Sequence, residues 1–298
     1  SALFAPLTLR GVTLPNRVWV SPMCQYSARD GVATEWHDVH IGAFATGGAG
    51  LIMMEATGVT PEGRISTQCL GLWNDKQRDR LIPIVNFVHS LGGKIGIQLA
   101  HAGRKGSTMP PGADHPFAAV AEGGWSAPAP SALAFGKMPI PHEMNVDKIK
   151  KTVTAFADAA KRAVNAGFDL VEIHSAHGYL IHQFLSPLSN HRNDEYGGAF
   201  ENRSRFLVEI VNAIRSVIPD SMPLFVRISA TDWVDGGWDL AESINLARVL
   251  KHIGVDLIDV SSGGLSDQQK ISPAPGYQVP FAEAIKSEVG RSEEHTSE

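Results

Sequence analysis

The chain has 298 residues, 43% of them hydrophobic, and a formal net charge of −5 at pH 7. That is enough chain to bury a large core, and with no run of Lys and Arg it offers no patch for nucleic acid or an anionic membrane. Two cysteines, Cys24 and Cys69, are too few for a disulfide framework or a structural zinc site, which suits a reducing compartment.

No stretch of about 20 residues is apolar enough to suggest a membrane span, and the opening SALFAPLTLRG lacks the basic start and apolar run of a signal peptide. The expectation is a cytoplasmic protein whose partners are small molecules. Residues 7–14, LTLRGVTL, alternate around Arg10-Gly11 and predict a small hairpin. A strand is expected over 17–21, a helix over 37–46, a strand over 50–56, a helix over 75–90 and a strand over 94–100. Residues 102–145 are rich in Gly, Pro, Ala and His without a sustained period, as in a lid or binding loop.

The alternation then resumes. Ile149, Val153, Phe156 and Ala160 fall on one face of a long helix that ends near Gly167. A strand over 170–174, a helix over 201–216, a strand over 223–229, a helix over 239–252 and a strand over 256–261 follow. Strands alternating with amphipathic helices mean βαβ units and a parallel sheet. No GxGxxG follows the first strand, which argues against a dinucleotide-binding open sheet. The predicted fold is a (β/α)8 TIM barrel in one domain, residues 1–290, with six of its eight units present and strands 7 and 8 missing. The polar, patternless 291–298 is read as a non-native tail.

In a parallel barrel, chemistry sits where side chains leave the carboxyl ends of the strands. His174, His177 and Tyr179 follow the apolar run Leu170–Ile173 and form the first candidate site. Two imidazoles there could be metal ligands, but no third ligand stands at suitable spacing, since His182 and His191 fall in a helix and a loop. Arg227, inside the apolar FVRIS, is an outlier, because a charged group in a barrel strand needs a partner.

The segments SPMCQY (21–26), EATGVTPEGR (55–64), IQLAHAGRK (97–105), HSAHGYLIHQFLSPLSNHRNDEYGG (174–198), ENRSRF (201–206) and GVDLIDVSSGG (254–264) together resemble the Old Yellow Enzyme family of FMN-dependent ene-reductases. The resemblance is to the subgroup of YqjM and the xenobiotic reductases. It implies non-covalent FMN, with NADPH or NADH as reductant and an activated alkene or nitro compound as substrate. It assigns Ser21, Pro22, Met23, Cys24, Ala56, Gln98 and Arg227 to the flavin, with Cys24 tuning its redox behaviour and Arg227 at its N1 and O2. Tyr26, His174 and His177 would contact substrate, and Tyr179 would be the proton donor. Cys69 matches no motif and is read as structural. Family members are often dimers or tetramers, so a homo-oligomer is expected of a full-length chain. Two rival readings stay open: a barrel fragment unable to hold FMN, and a metal-dependent barrel hydrolase.

Overall fold

The structure, a computed structural model, describes residues 2–290, so the tail expected at 291–298 lies outside the described residues. β1 (Leu7–Leu9) and β2 (Val12–Leu14) form the expected antiparallel hairpin, with Leu7 opposite Leu14. At its turn a Cβ on Gly11 would stand 2.7 Å from the Ser221 side chain, so the hairpin seats only because that position is bare.

The strands that follow are β3 (Trp19–Val20), β4 (Leu51–Gly58) and β5 (Lys94–Ala100), with α1 (Glu35–Thr46) and α2 (Asp75–Ser90) between them. The long loop holds a two-residue parallel pair, β6 (Pro128–Ala129) and β7 (His142–Glu143). Then come α3 (Val146–Ala166), β8 (Leu170–Ser175), the short α4 (Leu180–Leu185), α5 (Phe200–Arg215), β9 (Leu224–Ser229), α6 (Leu240–His252), β10 (Leu257–Ser261) and α7 (Val279–Val289).

β3, β4, β5, β8, β9 and β10 make one sheet in that order, every pair parallel. β4, β8, β9 and β10 are buried along their whole length, as strands covered on both faces must be. The sheet curves until Trp19 on β3 stacks on Phe225 on β9, with ring centroids 6.0 Å apart. This is a barrel-like arc; among the described residues β3 and β10 end it and do not pair with each other. Leu7 and Leu14 of the hairpin join Leu51, Met53, Leu170, Phe225 and Leu257 in one apolar cluster, which plugs the end where the strands begin.

The helices form the outer layer, each packed on the next from α1 to α3 and on through α5, α6 and α7. Local chemistry sets their ends. The Asn145 side chain accepts the Lys148 N–H at the start of α3, and Gly167 at φ +92 closes it. Asp239 caps α6 through the Glu242 N–H. Ile149, Phe156, Ala160 and Ala163 are fully buried on the inner face of α3, the stripe that its sequence period requires.

One local expectation is corrected. The first strand, expected over 17–21, pairs only at Trp19 and Val20, because Pro22 has no N–H to extend the ladder. The helix expected at His182 is α4, whose six residues are all buried.

Candidate active site

Register places the polar residues. In adjacent parallel strands paired residues share a face, and the pairing aligns Ala56 with Gln98, Gln98 with Glu172, His174 with Arg227, and Arg227 with Asp259. A bulge between Met54 and Ala56 sets the end of β4. The carboxyl ends of four strands thus bring Gln98, Glu172, His174, Arg227 and Asp259 to one side of the sheet, all buried.

Gln98 Nε2 donates to Glu172 Oε1 at 2.8 Å. Arg227 Nε lies 3.2 Å from Asp259 Oδ2, within ion-pair range but off the hydrogen-bond direction, and among the described residues Arg227 Nε and Asp259 Oδ1 are buried without hydrogen-bond partners. Buried polar atoms in this state are costly unless something else meets them. Beside them, Ser21 and Pro22 face Glu172, Phe225 and Asp259 across a cavity of about 60 Å³. A planar group with a polar edge could meet these donors from the open end of the strands.

Burial raises the Glu172 carboxyl to about 8, helped by Asp259 and opposed by Arg227. Asp259 is raised to about 6, again by burial. Sequence reading missed both, although each is a charge inside an apolar strand, the same signal that singled out Arg227. A carboxyl that keeps its proton to higher pH when folded contributes stability that is fully present below its unfolded pKa of 4.5 and is lost as pH rises through about 8. Glu172→Gln keeps the acceptor for Gln98 and removes that loss. Its melting temperature without flavin should therefore gain on the parent chain's between pH 5 and pH 8; a gap independent of pH would show that Glu172 ionises normally.

His174 and His177 stand edge to face with ring centroids 5.1 Å apart, and Tyr179 lies edge to face on His174 at 4.9 Å. The turn that brings them together is held in the left-handed region at His177 (φ +58) and Gly178 (φ +72). A Cβ on Gly178 would fall 2.2 Å from the Gly264 carbonyl oxygen, so only glycine admits the loop after β10 this closely. The Gly178 N–H donates to His182 Nδ1 at 2.9 Å, and His182 Nε2 lies 2.8 Å from Asp232 Oδ1 in a fully buried pair. Lys105 Nζ donates to the carbonyls of His177 and Gly264, 2.8 Å each, and sits 5.2 Å from the Tyr179 ring centroid. Lys105 had no sequence-based role; burial lowers its pKa to about 8, with Arg104 adding to the effect.

Burial, then neighbouring cations, holds both histidines well below 6.5, so each is a neutral imidazole with one N–H to give. His174 Nδ1 accepts the Ala176 N–H at 3.3 Å, which leaves the proton on Nε2. His177 Nε2 faces Ser261 Oγ at 2.8 Å. For His177 to offer Nδ1–H, Ser261 must donate to Nε2, which leaves Gln278 Oε1 to Ser262 Oγ at 2.9 Å. Burial raises the Tyr179 phenol far above 10, with Cys24, Tyr26 and Cys69 adding to it; it stays protonated.

Of the other expected residues, Tyr26 sits in the left-handed region at φ +51 with its phenol raised by burial to about 12. Met23 is exposed at 47%, and its carbonyl accepts from Gln25 Nε2. Cys69, for which the sequence offered no motif, lies near Cys24: its Sγ, Cys24 Sγ and a Glu55 oxygen lie within 4.8 Å of one another. This is the one His, Cys, Asp or Glu cluster with metal-ligand spacing among the described residues, and no histidine belongs to it. A larger cavity of about 690 Å³, at the opposite ends of the strands, is lined by Leu7–Arg10 and Gly254–Ile258 and holds none of the histidines or tyrosines.

Comparison with known proteins gives a consistent picture. The profile of the NADH:flavin oxidoreductase / NADH oxidase family matches residues 2–290. An NADPH dehydrogenase of Bacillus pumilus is 52% identical over 291 residues, covering 97% of this chain and 81% of that protein. Among solved structures, morphinone reductase superposes with a TM-score of 0.80 at 30% identity, over 97% of this chain and 77% of its own. The old yellow enzyme homologue from Zymomonas mobilis does so with a TM-score of 0.79 at 30% identity, over 96% and 79%.

Proposed function

The chain belongs to the NADH:flavin oxidoreductase / NADH oxidase family, and from that premise we propose that it reduces the activated C=C bond of α,β-unsaturated carbonyl or nitro compounds. As a member of the Old Yellow Enzyme group it is an NAD(P)H-dependent oxidoreductase that works with FMN. We read the six-strand arc as six units of a (β/α)8 barrel, which the superposition on morphinone reductase supports.

The observation that carries the reaction is the meeting of two neutral imidazoles, one protonated phenol and one buried guanidinium at the carboxyl ends of β8 and β9. Arg227 and Gln98 would hold the flavin's polar edge, with Ser21 to Cys24 and Ala56 along the ring. FMN, when bound, supplies hydride taken from NADPH or NADH. His174 and His177 would donate to the carbonyl or nitro oxygen of the substrate, where negative charge develops as hydride reaches the β-carbon. The Tyr179 hydroxyl would give its proton to the α-carbon, and Tyr26 would close over the substrate. Reductant and alkene would use the same face in turn, a ping-pong order that needs no separate dinucleotide domain.

Arg227→Met tests the flavin contact. A charged hydrogen bond contributes about 1.5–3 kcal/mol, so the Kd for FMN, read from quenching of flavin fluorescence, should rise roughly 10- to 150-fold. An unchanged Kd would assign Arg227 to the Asp259 ion pair alone.

A further inference from the structure

Beside the proposed flavin site, Cys24 and Cys69 come from loops 45 positions apart in the sequence, after β3 and β4. The Ala28 N–H donates to the Gln68 carbonyl at 2.9 Å and ties those loops together. Cys69 is fully buried, Glu55 is 3% exposed and Cys24 is partly exposed, so the cluster has two inner ligands and one at the surface. With two sulfurs and one carboxylate oxygen all within 4.8 Å, we propose that Cys24, Glu55 and Cys69 bind one thiophilic divalent cation of the zinc and cadmium class.

The bond lengths fit. Tetrahedral zinc with sulfur at about 2.3 Å and oxygen at about 2.0–2.2 Å places its ligand atoms about 3.5–3.8 Å apart. Since every pair already lies within 4.8 Å, closing the cluster requires movements of at most about 1 Å. Surrounding groups already orient the ligands, as outer partners do in metal sites. Ser66 presents its N–H at 3.4 Å and its hydroxyl at 3.2 Å to Cys69 Sγ. Glu55 Oε2 accepts the Gln25 N–H at 3.2 Å, and Glu55 Oε1 faces His37 Nε2 at 3.1 Å. His37 Nδ1 in turn accepts the Thr34 N–H, which puts the imidazole proton on the carboxylate side. Three protein ligands leave the fourth position for water on the exposed side of Cys24. The ion brings two positive charges to a cluster that offers up to three negative ones, and binding displaces the thiol protons.

The test is anaerobic titration of the FMN-loaded chain with cadmium chloride. It follows the ultraviolet absorption of cadmium–thiolate bonds and the metal retained after dialysis. One cadmium per chain with a thiolate band is expected. Cys69→Ser should abolish most of that band, and Glu55→Gln, which keeps the shape, should weaken binding at least about tenfold, since even outer-shell losses cost 10- to 100-fold. Retention of cadmium without a thiolate band, no retention while both thiols titrate as free, or equal affinity in both variants would overturn the site. The thiolate band is read apart from the visible flavin band: a protein that binds cadmium through sulfur but keeps no FMN supports this site and counts against the proposed function.

Discussion

Replacing Tyr179 by Phe is expected to lower the rate of alkene reduction by roughly 10²- to 10⁴-fold, the usual contribution of a positioned general acid, and to leave flavin reduction by NADPH unchanged. The phenol is held over His174 with its ring 4.9 Å away, and Lys105 lies on its face. Burial keeps the hydroxyl protonated across the neutral range, so on the proposed role the donor would always be loaded and the effect should not vary between pH 6 and pH 8. Phe preserves the ring, its edge contact and the start of α4. Anaerobic stopped-flow measurement of the two half-reactions separates the outcomes: equal slowing of both would assign Tyr179 to packing.

The second large effect is expected at His174. Its N–H is aimed by the Ala176 contact and its imidazole is kept neutral by burial, so it gives a hydrogen bond without needing to be charged. Loss of one such donor costs about 2.7–4 kcal/mol, or roughly 10²–10³ in rate. His174→Ala should show that loss in the step that oxidises the reduced flavin, and His174→Asn, which restores an N–H, should recover part of it. His177 is the weaker choice for this experiment, because its ring already faces Ser261 Oγ and its backbone sits in the left-handed region at φ +58, so a substitution there disturbs a partner and the turn as well.

Much of this site was legible in the sequence because its signals are local. An apolar run ending in two histidines and a tyrosine marks the end of a buried strand, and Arg227 inside FVRIS breaks an otherwise apolar pattern. Glu172 and Asp259 carried the same signal, and their pairing with Arg227 and Gln98 depends on register across strands. A helix was expected at His182, but the bounds of α4 were harder to read, because a helix buried all round, LIHQFL, has no polar face and hence no period. β6 and β7 are two residues each, too short for any pattern. The meeting of Cys24 with Cys69 depends on how two loops fold back, and nothing in either segment announces it. The hold of Lys105 on the His177 carbonyl needs the turn at Gly178, which only the folded chain supplies.

The most direct measurement uses the purified chain mixed with FMN and desalted, followed anaerobically in the visible range. The flavin band should remain after desalting, bleach when NADPH is added, and return on addition of cyclohexenone with one equivalent of cyclohexanone formed per flavin. A band that bleaches with NADPH and does not return with cyclohexenone, while oxygen restores it, would contradict the claim that the histidine pair and Tyr179 serve the reduction of an activated alkene.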